Sequence, residues 1–234
     1  MCGRFTTLSD PTELAERFAA RLPEGVRRRY NVAPAQSVLT LRDVENERVA
    51  DLMRWGLVPH WAKDASVSYK MINARAETVA EKPVYKKLLA SKRCLIPADG
   101  FYEWTTAPDG KKVPIRFTLA RGELFAFAGL WTSWVDKQSG ELLDSCTIIT
   151  TTPNELVART HNRMPVILPA DHEARWLDPA LSVDDARALF VPLAAEQMVA
   201  NVASRRVNRA GPDDAELLTP DEGDEDLLQT LLVA

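Results

Sequence analysis

The second residue of the chain is a cysteine, Cys2, and it is followed by Gly3, Arg4 and Phe5. Aminopeptidases remove an initiator methionine when the next residue is small, so we expect the mature chain to begin at Cys2. Its thiol and a free α-amine, whose pKa is about 7.7–8.0, would then sit on adjacent carbons. Either the thiol attacks an acyl carbon, or the amine condenses with an aldehyde and the thiol closes a thiazolidine ring. An incidental cysteine in a mobile terminus is the alternative.

A second candidate segment, residues 73–77, alternates polar and small side chains. In extended backbone Asn73, Arg75 and Glu77 project from one face, which would bring an amide, a guanidinium and a carboxylate together. Arg75 could then bind a phosphate, and Asn73 could orient a substrate or the terminal amine. An Arg–Glu pair on a surface strand is the alternative.

Glu103 lies in the aromatic run Gly100-Phe101-Tyr102-Glu103-Trp104. On a strand it shares a face with Phe101. If that face is buried, the pKa of the carboxyl group is raised and Glu103 can donate and accept protons near neutrality. If Tyr102 and Trp104 face inward instead, Glu103 is merely solvated.

His161 and Arg163 follow a short predicted helix and lie in a predicted loop. An imidazole titrates in the range needed for proton transfer, although a lone histidine is often structural. Arg163 is a candidate phosphate contact. Earlier in the chain, Trp55 and Trp61 flank a turn, where either ring could stack on the bases of a single strand or pack in the core.

The elements that must position these residues follow from apolar periodicity and turn residues. Asp10 and Pro11 open a helix in which Leu14, Phe18 and Leu22 recur at helical spacing. We also predict strands at 38–41, 49–55, 94–96, 100–104, 113–119, 124–130, 146–151, 166–168 and 199–207, and helices at 83–90, 154–159, 171–177 and 183–190. Because strands dominate without βαβ alternation, we expect an α+β fold, with one domain over 1–234 and a mostly antiparallel, barrel-like sheet with peripheral helices.

The composition of the 234 residues, 46% hydrophobic and 26% charged, excludes a disordered, collagen-like or coiled-coil chain. There is no apolar run long enough for a membrane span and no secretory signal pattern, so we expect a cytoplasmic protein without membrane association. The three cysteines, Cys2, Cys94 and Cys146, and the three histidines match no zinc pattern. We therefore expect no metal and no cofactor.

The net charge of −4 conceals a basic region. Residues 213–226 hold eight acidic residues and no Lys or Arg, which leaves 29 basic against 25 acidic residues elsewhere. Residues 63–93 hold eight basic and three acidic residues. That excess is compatible with an anionic ligand, and a solvated face is the alternative. We expect the acidic stretch 213–226 to be mobile.

Short motifs spread in order over residues 1–208 resemble the SRAP family, the SOS response-associated peptidases, also called abasic-site processing proteins. Each motif is modest alone, whereas the ordered set is specific. The motifs are MCGRF at 1–5, YNVAP at 30–34, WGLVP at 55–59, INARAET at 72–78, RC at 93–94, ADGFYEW at 98–104, TT at 150–151, HNRMP at 161–165 and VN at 207–208.

The resemblance implies a covalent reaction with abasic sites in single-stranded DNA, in which the cysteine exposed by removal of Met1 forms a thiazolidine with the sugar aldehyde. By position, Cys2 is the nucleophile and Asn73 holds the terminal amine or a sugar oxygen. Glu103 would act in ring opening and imine formation, and His161 in proton transfer. The implied DNA contacts are Arg4, Asn31, Pro34, Trp61, Arg75, Lys86, Lys87, Thr151 and Arg163.

Two other functions stay open. Glutamine amidotransferases of the N-terminal-nucleophile class also begin Cys-Gly, although the sequence shows neither a second synthase domain nor a site for an ammonia acceptor. A non-catalytic single-strand-binding module would bind intact and abasic strands alike, with strong salt sensitivity. We expect a monomer that associates with the nucleoid when it is bound to DNA.

Overall fold

A computed structural model describes residues 2–45 and 47–227 of the chain. The strands in this part are β1 (Arg4–Thr7), β2 (Arg29–Val32), β3 (Ser37–Val44), β4 (Glu47–Trp55), β5 (Asn73–Arg75), β6 (Arg93–Ala98), β7 (Gly100–Thr106), β8 (Lys112–Leu119), β9 (Phe125–Val135), β10 (Leu142–Thr151), β11 (Met164–Pro165), β12 (Ile167–Leu168) and β13 (Met198–Val202). The α-helices are α1 (Pro11–Phe18), α2 (Pro83–Ser91), α3 (Glu155–Ala158), α4 (Ala170–Leu177) and α5 (Val183–Ala188). Short 3₁₀ segments lie at Ala65–Lys70, Ala195–Gln197, Arg205–Asn208 and Ala215–Leu218.

Five of the strands close into a barrel. Strand β3 pairs with β4 and β6, β9 pairs with β6 and β10, and the pairing of β10 with β4 completes the ring. The β4–β10 and β5–β10 pairs are parallel, whereas the other pairs are antiparallel. Closure leaves none of these five strands as a free edge. The predicted α+β fold with a mostly antiparallel, barrel-like sheet is confirmed.

A second, wholly antiparallel sheet has the strand order β13-β8-β7-β1-β2. An apolar cluster joins it to the barrel, with Phe5 packed edge-on against Trp55 and Phe127 at centroid distances of 5.1 and 5.7 Å. A second cluster lies between the barrel and the helices and includes Leu14 and Trp176. Each such buried side chain contributes roughly 1.5–3 kcal/mol. The barrel is therefore covered by a sheet in one direction and by helices in another.

Two predicted elements end earlier than expected. The first helix stops at Phe18 because Ala19 adopts a left-handed conformation with φ of 48°, so Leu22 lies outside it. The strand predicted over 199–207 stops at Val202, and the chain then turns into the 3₁₀ segment Arg205–Asn208. Strands β1 and β2 were missed, since each has only four residues.

Two carboxylates of the acidic stretch 213–226, which was expected to be mobile, form ion pairs with arginines outside the stretch. Asp213 forms an ion pair with Arg29 at 2.6 Å, and the buried Asp224 binds Arg205 at 2.6 Å. These carboxylates are held by arginines that lie far away in sequence. Charge counting along the stretch misses partners of that kind.

No helix among the described residues is both long and apolar enough to cross a membrane. Within the same residues, no group of three or more His, Cys, Asp or Glu side chains is arranged to hold a metal ion.

Candidate active site

The N-terminal strand is held in place by a buried polar network. The carboxylate of Asp99 accepts hydrogen bonds from the Thr6 hydroxyl at 2.6 Å and from the Leu8 N–H, and it pairs with Arg116 at 3.0 Å. A Cβ atom at Gly100 would lie 2.7 Å from Arg116 Nε and 2.9 Å from Thr6 Oγ1, so a larger residue there would displace part of this network. Strand β1 is thereby fixed between β2 and β7, and the residues before it are directed into the molecule.

Cys2 is fully buried at the start of this strand. The side-chain amide of Asn73, on β5, donates to the Cys2 carbonyl oxygen at 2.8 Å, and Cys2 Sγ lies 3.8 Å from the Arg4 carbonyl oxygen. Burial raises the pKa of the Cys2 thiol well above its ordinary value, and the charge of Glu103 raises it further. The sulfur is therefore a neutral thiol at pH 7 and needs a base before it can react.

Glu103 is only 2% exposed. Burial raises the pKa of its carboxyl group to about 7, so protonated and ionised forms coexist at neutral pH. Phe101, on the same face of β7, and Tyr102, on the opposite face, are both fully buried. The Glu103 carboxyl group therefore points into the protein, which was one of the two orientations considered from the sequence. Both faces of β7 are buried at this point.

His161 lies beside this carboxyl group, with Nδ1 3.9 Å from Glu103 Oε1. Burial lowers the pKa of the imidazole, which favours the neutral ring. His161 Nδ1 lies 3.0 Å from the Arg163 backbone nitrogen and 3.2 Å from the Arg163 carbonyl oxygen. The neutral ring accepts from the N–H when its proton is on Nε2 and donates to the carbonyl oxygen when its proton is on Nδ1, so the Arg163 backbone orients the ring in either form. The structure thus brings a buried carboxyl group and an imidazole together where the charge of Glu103 acts on Cys2, an arrangement that could support general acid–base chemistry at that thiol.

Two of the predicted DNA contacts, Arg4 and Pro34, border an open groove that begins at Gly3, next to Cys2. Arg4 Nη1 donates to Asn31 Oδ1 at 3.3 Å and to the Val207 carbonyl oxygen, so one nitrogen of the guanidinium is held by the protein while the residue stays partly exposed. The groove is lined by Gly3, Arg4, Pro34, Trp104, Lys112 and Asn208. The predictions omitted Trp104, Lys112 and Asn208, although the VN motif at 207–208 already pointed to this segment.

Trp61 and Arg75 are available for contacts with a ligand. The Trp61 ring is 59% exposed, and it lies in the loop between β4 and β5. Arg75 is exposed and makes no side-chain hydrogen bond or ion pair within residues 2–45 and 47–227. Trp55, by contrast, is buried and donates from Nε1 to the Ile72 carbonyl oxygen at 3.0 Å, so it belongs to the core.

Asn31 and Thr151, which were expected to contact DNA, are buried and hydrogen-bonded to the protein's own backbone. The Asn31 amide donates to the carbonyl oxygens of Arg209 and Pro212, and the Thr151 hydroxyl donates to that of Phe190 at 2.9 Å. Their amide and hydroxyl protons are therefore used to hold loops near the site. A short polar side chain in a motif gives no sign of whether its partner is a ligand or a carbonyl.

The two predicted lysine contacts are exposed on helix α2, which packs against β6, β9 and α5. Neither Lys86 nor Lys87 makes a side-chain hydrogen bond or ion pair with the other site residues in the described chain. Arg163 is also less available than expected, because its guanidinium is bound to Glu77. The 73–77 segment is extended only over β5, and Glu77 lies beyond the strand.

The fold and the site define a class of protein: a barrel-based α+β chain whose second residue is a buried cysteine held beside a carboxyl–imidazole pair. A family model, "SOS response associated peptidase (SRAP)", matches residues 1–210. The chain belongs to the SRAP family, and the resemblance inferred from its motifs is confirmed.

Relatives with this architecture are found in bacteria and vertebrates. The chain is 48% identical over 223 residues to the abasic site processing protein YoaM of Bacillus subtilis (strain 168), covering 93% of this chain and 97% of the relative. It is 33% identical over 264 residues to the abasic site processing protein HMCES of Gallus gallus, covering 95% of this chain and 78% of the relative. A solved structure from Bacteroides thetaiotaomicron matches with a TM-score of 0.84 and 26% identity, over 94% of this chain and 100% of that one.

Proposed function

We propose that this protein senses abasic sites in single-stranded DNA and caps them through a covalent thiazolidine cross-link at Cys2, after Met1 has been removed. One observation carries the proposal: a fully buried Cys2, fixed by Asn73, lies where the charge of Glu103 acts on its thiol. The relatives named above are abasic site processing proteins. An abasic sugar exists partly as an aldehyde, which is the electrophile that a cysteine amine and thiol can capture together.

The proposed reaction has two bond-forming steps. The Cys2 amine attacks the aldehyde carbon, and one amine proton passes to the oxygen. Protonated Glu103 donates a second proton to this hydroxyl group, so that one water leaves, a protonated imine forms and Glu103 is left ionised. The thiol sulfur then adds to the carbon of the protonated imine while the thiol proton passes to ionised Glu103. Aldehyde and aminothiol thus give thiazolidine and water, and no oxidant or reductant is consumed.

A carboxyl group with a pKa of about 7 suits both steps, because it must first donate and then accept a proton at neutral pH. His161, 3.9 Å from that carboxyl group, is proposed to exchange protons with it and with the opening sugar ring. An imine alone would hydrolyse or proceed to strand cleavage by β-elimination. Ring closure by sulfur removes the electrophile, so the strand stays intact under the protein.

We propose that the strand runs along the open groove, with Arg4 and Lys112 contacting phosphates and Trp104 supporting the sugar or base. Exposed Trp61 offers a stacking surface that unpaired bases can use and paired bases cannot. Arg75 supplies a further exposed cation. The protein is proposed to act as a monomer and to associate with the nucleoid only through DNA.

The amine of Cys2 is a peptide nitrogen until Met1 is removed. Two routes are available: an aminopeptidase, or attack by the Cys2 site itself, as the family name suggests. Intact-mass measurement of the Glu103→Gln variant distinguishes them. Retention of Met1 in this variant alone supports self-processing, whereas its loss from both proteins indicates an aminopeptidase.

The decisive experiment is mass spectrometry of the protein incubated with an abasic single-stranded oligonucleotide. We expect a heat-stable adduct with the combined mass less one water, and Cys2→Ala should abolish it. The matched control is Cys94→Ala, which removes another buried thiol and should leave the adduct in place. An adduct of unchanged yield in Cys2→Ala would refute the mechanism. Ammonia release from glutamine would favour the amidohydrolase instead, and equal binding of intact and abasic strands without an adduct would favour a non-catalytic binder.

A further inference from the structure

Arg163, two residues after His161, forms a bidentate ion pair with Glu77. Arg163 donates from its two terminal nitrogens to Glu77 Oε1 at 2.5 Å and Oε2 at 2.9 Å, and it also donates to the Thr150 carbonyl oxygen at 2.6 Å. Its side chain is 13% exposed and that of Glu77 is 48% exposed. Paired planar groups of this kind fix orientation as well as distance. We call this pair the Glu77–Arg163 clamp.

The Glu77–Arg163 clamp contacts the end of β10 at Thr150. The segments that carry Asn73 and His161 come together at this end of β10. The Thr150 carbonyl oxygen also accepts a hydrogen bond from the Ala76 N–H at 2.8 Å, directly after β5. Strand β5 pairs with one side of β10. Strand β11, which follows Arg163, pairs with the other side of β10. Asn73, which holds Cys2, and His161 are therefore connected through the clamp by short stretches of backbone.

The hydrogen bonds of Arg163 leave little capacity for an external anion. A guanidinium has five N–H groups. Glu77 and the Thr150 carbonyl use three of them, and Nε is buried with no hydrogen-bond partner in the part of the chain that the structure describes. A phosphate could bind Arg163 through two parallel bonds only if Glu77 released it, and the Glu77 carboxylate would repel that phosphate.

We propose that Glu77 is a positioning residue for the reaction, and that it acts through Arg163 on His161. The clamp fixes the Arg163 backbone, whose nitrogen and carbonyl oxygen lie 3.0 and 3.2 Å from His161 Nδ1 and orient the ring. Arg163 is then a structural cation, in contrast to the phosphate contact expected from its motif. The inference deepens the proposed function and rests on it for the reaction that is positioned.

The test is Glu77→Gln, which keeps the shape of the side chain and removes the charge that binds Arg163. The matched control is Glu81→Gln, which removes a carboxylate at an exposed position four residues away. Three quantities are measured: the ¹⁵N chemical shifts of the His161 ring, the rate of adduct formation at saturating abasic strand, and the Kd for an undamaged strand. Thermal unfolding checks that both variants are folded.

In Glu77→Gln we expect the ¹⁵N chemical shifts of the His161 ring to change, and the saturated rate to fall between about tenfold and 100-fold, since misplacing a catalytic group by 1 Å has effects of this size. The Kd for the undamaged strand should stay within twofold. Glu77→Asp, which retains the charge, should recover part of the rate, and Glu81→Gln should match the unmodified protein in all three measurements.

Three results would overturn the proposal. Tighter binding of the undamaged strand by Glu77→Gln with an undiminished rate would mean that Glu77 competes with DNA for Arg163. Unchanged ring signals and rate would remove Glu77 from any positioning role, as would a Glu77→Asp variant as slow as Glu77→Gln despite being folded. If the unmodified protein forms no adduct, the proposed function fails, and the ring signals alone then decide whether the clamp holds His161.

Discussion

Glu103→Gln should change how the stability of the protein depends on pH, whether or not DNA is present. Glu103 is 2% exposed, and burial raises the pKa of its carboxyl group from 4.5 to about 7. Between these two pH values the unfolded chain has lost this proton while the folded chain still holds it. The free energy of unfolding therefore falls as pH rises through this window, and the loss is complete above pH 7. Gln removes this contribution while keeping nearly the same shape.

The magnitude follows from the difference between the two pKa values. A difference of this size corresponds to about 3 kcal/mol in total, of which roughly 2–3 kcal/mol falls between pH 5 and pH 8. Relative to the unmodified protein, the variant should gain that amount of stability between pH 5 and pH 8. Contributions from titrating groups that do not interact with Glu103 are common to both proteins and cancel in the comparison.

The assay is urea unfolding of both proteins at pH 5 and pH 8, followed by tryptophan fluorescence. Glu81→Gln serves as the exposed control, and its effect should stay within about 0.5 kcal/mol at either pH. The argument for a desolvated carboxyl group fails if the difference between Glu103→Gln and the unmodified protein is the same at both pH values. It also fails if the variant loses stability relative to the unmodified protein as pH rises from 5 to 8.

Two further predictions concern the network behind β1 and the groove. Asp99→Asn should lower the free energy of unfolding by about 3–5 kcal/mol, because Arg116 would keep a buried charge without its carboxylate partner. Urea unfolding measures this, and a loss below about 1 kcal/mol would show that the network is dispensable. Arg75→Ala should weaken binding of a single strand and reduce the slope of log K against log salt by about one. Fluorescence anisotropy over a salt series measures the slope, and an unchanged slope would exclude a phosphate contact by Arg75.

Much of the site could be predicted from sequence because its chemistry is carried by residue types that stand out. Cys2 next to an initiator methionine, and Glu103 among aromatic residues, each suggest a reaction on general grounds. Apolar alternation predicted most strands of the barrel. The class of fold followed from the dominance of strands over βαβ units.

The remaining features depend on partners that lie far apart in the sequence. Asn31 and Arg163 occur in motifs that suggest a ligand, yet carbonyl oxygens and Glu77 are their partners. Likewise, Asp213 belongs to an acidic run, but Arg29 binds it across an interval of 184 positions. Strand β7 is buried on both faces, so alternation alone could not decide which way Glu103 points.

The burial of Cys2 also affects how readily its thiol is oxidised. Peroxide attacks thiolates, and solvent-accessible thiols of low pKa are oxidised first to sulfenic acid and then irreversibly. The Cys2 thiol has no exposed surface, and burial keeps it in the neutral form. In the proposed reaction, this burial would keep Cys2 reduced until a sugar aldehyde reaches it.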